Sequence, residues 1–596
     1  MAKLKRRHFL QYTAGAAGAL VVGWSILPPR QRLTPGRPLP VAPGQVALNG
    51  WVKVSSDNTV TVVMSQAEMG QGVHTGLAML LADEMDAAWE QIRLEQSTLD
   101  TIYNNQAEIV DSLPFQPEDN GYMKRTLQWM GAKIIREVPN AIGTGGSSSM
   151  KDQWLPMREA GASARAALIA AAAGMWNVPA SECGAESGRV LHPSGKSASF
   201  GELAVRASQL PVPRNVAVKD PSAFKLIGKP VRRLDNAAKI RGSAVYAIDV
   251  LPPGLLYASL AMCPTVGGKV RRFDGAAAQS LPGVRKVIAL DPYSGGLASY
   301  GAGTGAVAVI ADTPYHAMNA VRKVTVEWDD GPAANLSSKE VIDGLSRTLD
   351  THPGHAHYEH GDVDAALKSA AKTISAEYRV PYLAHATMEP MNCTVQFKDG
   401  AATVWAGTQG PGFAASAVAK VLGIKPDKVT VNVTTLGGGF GRRTFVDIIS
   451  QAAAIAREAG GAPVQTIWSR EQDMAHDYYR PAFVSRHQAG FDAHGKLVAW
   501  KATSAGSSMG APSFADGSNS GAFDTGYAFP AARVAHQASD ALVPIGIWRS
   551  VAHSHNAFFT ESFIDEAAAA AGEDPVAFRA SLLAHQPRML RVLQRA

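Results

Sequence analysis

Cysteine is scarce in this chain of 596 residues, and its scarcity limits the metal chemistry that the protein can perform. The three cysteines, Cys183, Cys263 and Cys393, lie far apart in the sequence. They form no CxxC pair, zinc ribbon, iron–sulfur motif or haem-attachment CxxCH. We therefore expect no iron–sulfur centre in this chain and no metal that is held by cysteine.

Charged residues are also sparse, at 18% of the chain, and the net charge is only +6. Four of the basic residues, Lys3, Lys5, Arg6 and Arg7, lie within the first seven residues, and no acid precedes Asp57. The rest of the chain is close to neutral, so we expect no nucleic-acid partner. The hydrophobic share of 46% excludes global disorder. The length exceeds the roughly 250–300 residues at which single cores stop growing, which predicts several domains.

The apolar run Tyr12–Leu27 is too short for a membrane-spanning helix, which needs ~20 residues. It has no polar face, and it follows the pair Arg6-Arg7 and the apolar Phe9-Leu10. This arrangement resembles a twin-arginine export signal. We interpret residues 1–36 as that signal and a proline-rich linker, which implies a periplasmic protein. No Ala-x-Ala cleavage motif follows, so an uncleaved signal would associate the protein with the membrane.

Glycine, in contrast, is abundant, and glycine-rich loops precede predicted helices at three places. They are Glu68–His74 after the alternating run Thr59–Met64, Gly143–Ser149 before an Ala-rich helix that ends near Trp176, and Gly437–Gly441 after the β-rich run Val429–Thr435. The amides at a helix start suit anionic or hydrogen-bond-rich ligands, although any one loop is equally well explained as a tight turn. None fits GxxxxGK[ST], which argues against an ATP-type P-loop.

The predicted secondary structure indicates a mixed α/β, or α+β, multidomain protein. After the signal we predict three segments: 37–219, 220–333 and 334–596. The middle segment combines one helix with several short strands. The helix is Tyr315–Arg322, and the strands are Tyr246–Val250, Leu255–Met262, Lys286–Leu290, Ala306–Ala311 and Val324–Trp328.

Other candidate sites are weaker. The histidines His352, His355, His357 and His360 could bind a metal, but Pro353 and Gly354 fix no ligand geometry, so a solvated loop between domains is the better interpretation. The sequence contains neither G-x-S-x-G nor H-E-x-x-H, which argues against the common hydrolase classes.

Several motifs together resemble the large, molybdopterin-binding subunit of the xanthine oxidase and aldehyde oxidoreductase family, in particular its isoquinoline 1-oxidoreductase beta-subunit type. The resemblance covers about Gly50 to Pro587, with the first motif placed before the middle segment as in that subtype. It rests on Glu68–Thr75, Met388–Cys393, Thr408–Pro411, Gly437–Arg443 and Trp548–Ser550. The middle segment then resembles an α/β hammerhead domain, flanked by molybdopterin-binding domains.

The resemblance implies roles at the matching positions. Gln409 would lie beside the molybdenum and donate a hydrogen bond to its oxo ligand, and Arg549 would line the cofactor site. Other residues would contact the pterin, its phosphate or nucleotide tail, or the oxygens on the metal through backbone amides. These are Gly70, Gln71, Gly72, Gly145, Gly146, Ser147, Ser148, Gly438, Gly439, Phe440 and Gly441. No protein side chain would ligate the metal, and the cytosine dinucleotide is one form that the cofactor could take.

The implied reaction is hydroxylation of an aldehyde or N-heterocycle, with water as the oxygen source. Its electrons would leave through a small [2Fe–2S] partner subunit, and a cytochrome c is a further candidate partner. The family's base, a Glu in a Gly-Val-Gly-Glu loop, has no match here, so the catalytic residue is unknown. We expect a C-terminally truncated chain whose missing segment another chain supplies, or else a non-catalytic remnant that binds cofactor or partners. Glu389 is the nearest candidate base, but its motif suggests a structural role.

Overall fold

The computed structural model describes residues 31–111, 113, 121–293, 303–508, 519–539 and 542–596. The predicted export signal therefore lies outside the described residues. The chain divides into two compact units, Met1–Ala244 and Val245–Ala596. Its mixed α/β architecture confirms the predicted fold class. The division into four segments predicted from the sequence stays a prediction.

The first unit combines a small mixed sheet with helices. Its strands are β1 (Gln45–Asn49), β2 (Val52–Ser55), β3 (Val60–Met64), β4 (Ile92–Gln96), β5 (Gly184–Glu186), β6 (Arg189–Leu191) and β7 (Ser197–Ser199). Its helices are α1 (Val73–Met85), α2 (Gln106–Val110), α3 (Tyr122–Glu137), α4 (Ser149–Trp176), α5 (Phe200–Ser208) and α6 (Asn236–Ile240).

The four-stranded sheet of this unit runs in the order β1-β2-β3-β4. Strands β1, β2 and β3 are antiparallel neighbours, whereas β4 pairs with β3 in parallel after the crossover through α1. Helix α1 packs on α4 around Gly161, where an added Cβ would lie 2.4 Å from the Leu81 carbonyl oxygen. This close helix crossing fixes the two segments that begin directly after the first two glycine-rich loops.

The second unit contains most of the strands. They are β8 (Leu256–Met262), β9 (Lys269–Asp274), β10 (Val284–Leu290), β11 (Ala306–Ala311), β12 (Thr325–Asp329), β13 (His355–His360), β14 (Lys372–Val380), β15 (Asn392–Lys398), β16 (Ala401–Ala406), β17 (Val429–Val433), β18 (Val464–Ile467), β19 (Phe483–Phe491), β20 (Leu497–Ser507) and β21 (Ala532–Ser539). Its helices are α7 (Ala276–Gln279), α8 (Pro314–Val321), α9 (Ser338–Thr351), α10 (Val363–Ser369), α11 (Pro411–Leu422), α12 (Asp447–Arg457), α13 (Arg470–Ala475), α14 (His553–Ala571), α15 (Pro575–Leu582) and α16 (Pro587–Arg595).

Two large sheets organise the second unit. A seven-stranded sheet runs β10-β11-β8-β18-β15-β16-β17, and a five-stranded sheet runs β13-β21-β20-β19-β14. The parallel pairing of β18 with β8 joins strands of the predicted middle segment to strands of the last segment. The third glycine-rich loop follows β17, at the edge of the seven-stranded sheet.

Two local predictions are wrong. Tyr246–Val250 is not a strand: Ala247–Asp249 forms a single 3₁₀ turn, in which the backbone N–H of Tyr246 donates to the Asp249 carboxylate. The histidine-rich stretch is not a loop, because His355–His360 forms an edge strand that pairs with β21. A sequence rich in polar residues can form an edge strand, since one side of it faces solvent.

No helix among the described residues is long and apolar enough to cross a membrane. Over the same residues, no group of three or more His, Cys, Asp or Glu side chains could hold a metal ion.

Candidate cofactor site

The first glycine-rich loop is folded around the buried carboxylate of Glu68, which is 3% exposed. One of its oxygens accepts the amides of Gly70 and Gly72, each at 2.9 Å, and the other accepts the amide of His74 at 3.1 Å. Gly70 and Gly72 have φ angles of 107° and 82°, a region that favours glycine. Arg233 contacts the same carboxylate at 3.2 Å. The sequence motif contained Glu68, but its organising role was not predicted.

Gln71, predicted to contact the pterin, lies exposed at the tip of this loop. Its side-chain oxygen accepts the Met69 amide at 2.8 Å, and its side-chain nitrogen donates to the Ala67 carbonyl at 2.9 Å. The side chain therefore closes its own loop in this structure. His74 at the base is half-buried, and its partial removal from solvent lowers its pKa below the usual value, although the Gln66 carbonyl accepts a hydrogen bond from it.

The second glycine-rich loop forms a tight turn before helix α4. Gly146 and Ser147 both have positive φ, at 57° and 54°, and Ser148 precedes the first residue of the helix. The Ser148 hydroxyl donates to the Gly145 carbonyl at 2.6 Å and accepts from the side-chain NH₂ group of Asn105 at 2.7 Å. The amides of Gly145, Gly146 and Ser147 have no acceptor within the described part of the chain. This arrangement suits an anion at the positive end of a long helix.

These two loops meet in the first unit. The amide of Ala67 donates to the Thr144 hydroxyl at 2.9 Å, and the Ser149 hydroxyl donates to the Gln66 side chain at 2.9 Å. Glu108 lies behind the second turn, 2.5 Å from where a Cβ on Gly145 would stand. Burial, together with the nearby negative charge of Asp152, raises the pKa of Glu108. Two motifs about 75 residues apart in the sequence are therefore joined by side-chain hydrogen bonds in the first unit.

The third glycine-rich loop, in the second unit, offers a row of backbone amides. Gly438, Phe440 and Gly441 have φ angles of 99°, 57° and 109°. The amides of Gly438, Gly439 and Phe440 have no acceptor among the described residues, although Gly439 is buried. Buried amides are nearly always paired in native proteins. A row of unpaired amides of this kind therefore fits a ligand with several acceptor oxygens.

Gln409 lies against the end of this row and is 4% exposed. Its side-chain oxygen accepts the Gly441 amide at 3.1 Å, and the NH₂ group of the same side chain is a hydrogen-bond donor. The Gly441 amide, predicted to face the oxygens on the metal, is thus engaged by Gln409. At Gly441 a Cβ would lie 1.5 Å from the Ile547 carbonyl oxygen, so no other residue fits there.

Arg549 reaches the same loop from the segment that leads to helix α14. Its backbone amide donates to the Phe440 carbonyl at 2.7 Å, and its guanidinium carbon lies 5.0 Å from the Phe440 ring centroid. The structure therefore brings together Gln409, Arg549 and Gly438–Gly441, all of which the motifs singled out.

A buried charge network, which the sequence did not predict, holds the residue that follows this loop, Arg442. Arg442 makes a bidentate pair with Asp447 at 3.0 and 2.8 Å, and its Nε lies 2.9 Å from Asp477. The Nδ1 atom of His385 lies 3.0 Å from the same Asp477 carboxylate oxygen. Burial alone would raise the pKa of Asp477, but the His385 hydrogen bonds and the Arg442 charge outweigh it, so the pKa is lowered.

Glu389, the nearest candidate base by motif, is held by other groups. One carboxylate oxygen accepts from the Arg443 guanidinium at 3.1 Å and from the Gly437 amide at 2.9 Å. The other accepts the Ile248 amide at 3.2 Å. These contacts support the structural role that its motif suggested.

A cavity that opens to solvent lies beside this network in the second unit. Asp447 and Asp477, which bind Arg442, contribute to its wall. Most of the other lining side chains are aromatic or apolar, including Met262, Tyr293, Trp468, Tyr478 and Tyr479. A cavity with this lining suits a flat, largely apolar ligand.

Comparisons with known proteins agree with these features. Two models described as molybdopterin cofactor-binding domains match residues 8–108 and 348–582. The isoquinoline 1-oxidoreductase subunit beta of Brevundimonas diminuta is 30% identical over 92% of this chain and 72% of the relative. The chain belongs to the molybdopterin-binding subunits of the xanthine oxidase family. It is therefore a subunit of a molybdenum oxidoreductase.

The chain is also similar to other oxidoreductases. A membrane-bound aldehyde dehydrogenase (pyrroloquinoline-quinone) of Gluconacetobacter polyoxogenes is 30% identical over 98% of this chain and 73% of the relative. Among solved structures, quinoline 2-oxidoreductase from Pseudomonas putida 86 matches with 20% identity and a TM-score of 0.48. That match covers 59% of this chain and 50% of the solved one.

Proposed function

We propose that the protein is the molybdenum-cofactor-binding subunit of an enzyme that hydroxylates aldehydes or N-heterocycles, with water as the oxygen source. The observation that carries this proposal is the row of unpaired amides at Gly438–Phe440 beside Gln409, in a chain of this family. When bound, the cofactor supplies two-electron oxidation of the substrate carbon.

The chain's own residues would bind and orient the cofactor and the substrate. In the second unit, the Gln409 NH₂ group and the amides of Gly438–Phe440 act as donors, and Arg549 adds a positive charge. In the first unit, the Gly145–Ser148 turn would hold the phosphate of the tail, in a cytosine dinucleotide form. Gln71 would contact the pterin by exchanging its present bonds within the loop for bonds to the ligand. Donors that are already in place lower the cost of binding an anionic group.

The substrate class follows from the cavity and from the relatives. The aromatic walls formed by Trp468, Tyr478 and Tyr479 suit a planar ring. The names of the relatives include isoquinoline, which is a planar ring, and aldehyde, which is a small carbonyl compound. We therefore expect isoquinoline to be a better substrate than a purine, since the resemblance to the family places Thr444 where some relatives have a substrate-binding Glu.

Electron transfer and location are further parts of the proposal. The cysteine content of the chain favours a small [2Fe–2S] subunit as the electron acceptor, with a cytochrome c as a further partner. The twin arginines support export to the periplasm, and an uncleaved signal would add membrane association.

A second candidate function is a non-catalytic protein that binds cofactor or partners. It is favoured by the engagement of Glu389, whose carboxylate is occupied by Arg443 and two backbone amides. A carboxylate held in this way is a poor general base, because its ion pair must break before it accepts a proton.

Direct analysis of the purified protein tests these alternatives. The chain is expressed in a cofactor-competent host, with and without a [2Fe–2S] subunit, and molybdenum, pterin and pyrroloquinoline quinone are measured per chain. We expect molybdenum and pterin near one per chain, and isoquinoline or acetaldehyde oxidation with a dye as electron acceptor. Pyrroloquinoline quinone without molybdenum would contradict the proposal. Full cofactor content without turnover, even with the second subunit, would favour the non-catalytic alternative.

A further inference from the structure

Arg443 is a buried arginine whose guanidinium contacts both sides of the candidate site; the side chain has 0% exposure. Its Nε donates to the Gly438 carbonyl at 2.8 Å. Its two terminal nitrogens donate to the Gly407 carbonyl at 3.3 Å and to the Glu389 carbonyl at 2.7 Å. Three backbone segments that are distant in sequence are therefore tied to one planar group.

The Glu389 carboxylate completes this attachment on the side of the glycine loop. It pairs with Arg443 at 3.1 Å and accepts the Gly437 amide at 2.9 Å, and the Glu389 amide donates back to the Gly437 carbonyl at 3.0 Å. A Cβ on Gly437 would lie 2.3 Å from the Glu389 Cβ, so the two backbones touch here. The start of the amide row therefore has little freedom to move.

The backbone of Arg443 holds the other side of the site. Its carbonyl accepts the Gln409 amide at 2.9 Å and the Thr408 hydroxyl at 3.2 Å. One residue thus binds the loop that carries the unpaired amides and the segment that carries Gln409. A shift of this residue changes the spacing between the two sets of donors.

We propose that Glu389 and Arg443 are a positioning pair, which sets the distance between the Gln409 side chain and the amides of Gly438–Phe440. This inference rests on the proposed function, since those donors are the groups that would bind the cofactor. The pair contacts the donors and not the ligand. Small displacements of correctly placed groups can lower a rate by about 100-fold.

The shape of the guanidinium explains why arginine is needed. Its planar fork reaches the Gly438, Gly407 and Glu389 carbonyl oxygens and the Glu389 carboxylate together. A lysine ammonium is a compact charge on a flexible stem, and it cannot span these acceptors. Arg443→Lys therefore keeps the buried charge but releases at least one side of the site.

The test compares Arg443→Lys with the same change at a second buried pair. Arg158 donates to Glu84 at 2.8 Å in the first unit, with side-chain exposures of 8% and 0%. Both variants are purified in the same way as the wild type. Molybdenum and pterin per chain, kcat per molybdenum, KM for isoquinoline and amide hydrogen exchange are measured for each.

For Arg443→Lys we expect kcat per molybdenum to fall about tenfold or more, with KM within about twofold of wild type. Amide exchange is expected to rise in peptides that cover 407–410 and 437–443 and to stay unchanged in the rest of the second unit. Arg158→Lys is expected to keep the wild-type kcat per molybdenum. If Arg443→Lys is insoluble, Glu389→Gln, which weakens the pair but keeps an acceptor, is expected to show the same pattern.

An unchanged kcat per molybdenum in Arg443→Lys, or a rise in exchange spread over the whole second unit, would overturn the positioning role. Equal losses of kcat per molybdenum in Arg443→Lys and Arg158→Lys would also overturn the positioning role, because they would indicate a general loss of stability. Wild-type protein without molybdenum and pterin would overturn the proposed function and, with it, this inference. The two failures are therefore distinguishable by the wild-type metal content.

Discussion

At the residue scale, the buried His487 predicts how the stability of the second unit depends on pH. It is buried on β19 among Tyr378, Trp500 and Phe563, and burial lowers its pKa to about 3. The unfolded chain binds a proton on this residue near pH 6.5, whereas the folded chain does not. The unfolded state therefore holds more protons below that pH, so the histidine makes the second unit less stable as the pH falls from about 6.5 towards 3.

We expect the melting temperature to fall between pH 7.5 and 5, and His487→Phe to reduce that fall because phenylalanine does not titrate. The melting temperature, measured by circular dichroism at several pH values, checks this. His494→Gln, at an exposed hairpin position, is the matched control and is expected to leave the pH dependence unchanged. The same pH dependence in His487→Phe and the wild type would show that the folded protein can protonate this histidine.

Single residues also show where sequence reasoning reached its limit. The motifs correctly grouped Gln409, Arg549 and the glycine loop, because each lies inside a short recognisable pattern. The pairing of Arg442 with Asp477 could not be predicted, since Asp477 is distant in sequence and nothing marks it as a neighbour. Ion pairs between distant segments depend on packing, which a local pattern does not contain.

At the element scale, the crossing of α1 and α4 determines how the first two glycine loops are placed. We expect Gly161→Ala to destabilise the first unit by about 1–3 kcal/mol, because its Cβ would lie 2.4 Å from the Leu81 carbonyl oxygen. Gly174→Ala makes the same change on the same helix with nothing within 4 Å. It is expected to be neutral or to stabilise by up to about 1 kcal/mol, since alanine favours helix.

Urea denaturation of the two variants and the wild type measures this difference. Comparable stabilities of Gly161→Ala and Gly174→Ala would contradict the close helix crossing. If the crossing is correct, Gly161→Ala is also expected to weaken pterin retention, because the Gly143–Ser149 loop leads directly into α4.

Elements with a clear pattern of apolar residues were predicted well, whereas one edge strand and one short turn were not. The run Ala306–Ala311 is a strand with the predicted bounds, and the Ala-rich helix ends at Trp176. In contrast, His355–His360 is a strand only because β21 supplies its hydrogen bonds. Tyr246–Val250 has strand-forming residues, but its backbone turns so that the Ile248 amide can bind Glu389.

At the scale of the whole molecule, the motifs and their order predicted the family. They did not predict that strands of the predicted middle and last segments form one sheet. The seven-stranded sheet combines β8, β10 and β11, the last of which ends at Ala311, with β15 to β18, which begin at Asn392. Sequence patterns identify strands, whereas the choice of neighbour depends on which long-range pairing buries the most apolar surface.

The location of the whole protein is the remaining prediction, and it rests on Arg6 and Arg7. We expect the double change Arg6→Lys and Arg7→Lys to keep the protein in the cytoplasm, because lysine retains the charge but lacks the planar fork that a receptor can read. The reciprocal change of Lys3 and Lys5 to arginine is the matched control, and it is expected to leave export intact. Cell fractionation with periplasmic and cytoplasmic markers measures both. The paired arginines are not the export signal if the variant with Arg6→Lys and Arg7→Lys is recovered in the periplasm. The same conclusion follows if the control is retained in the cytoplasm to the same extent as that variant.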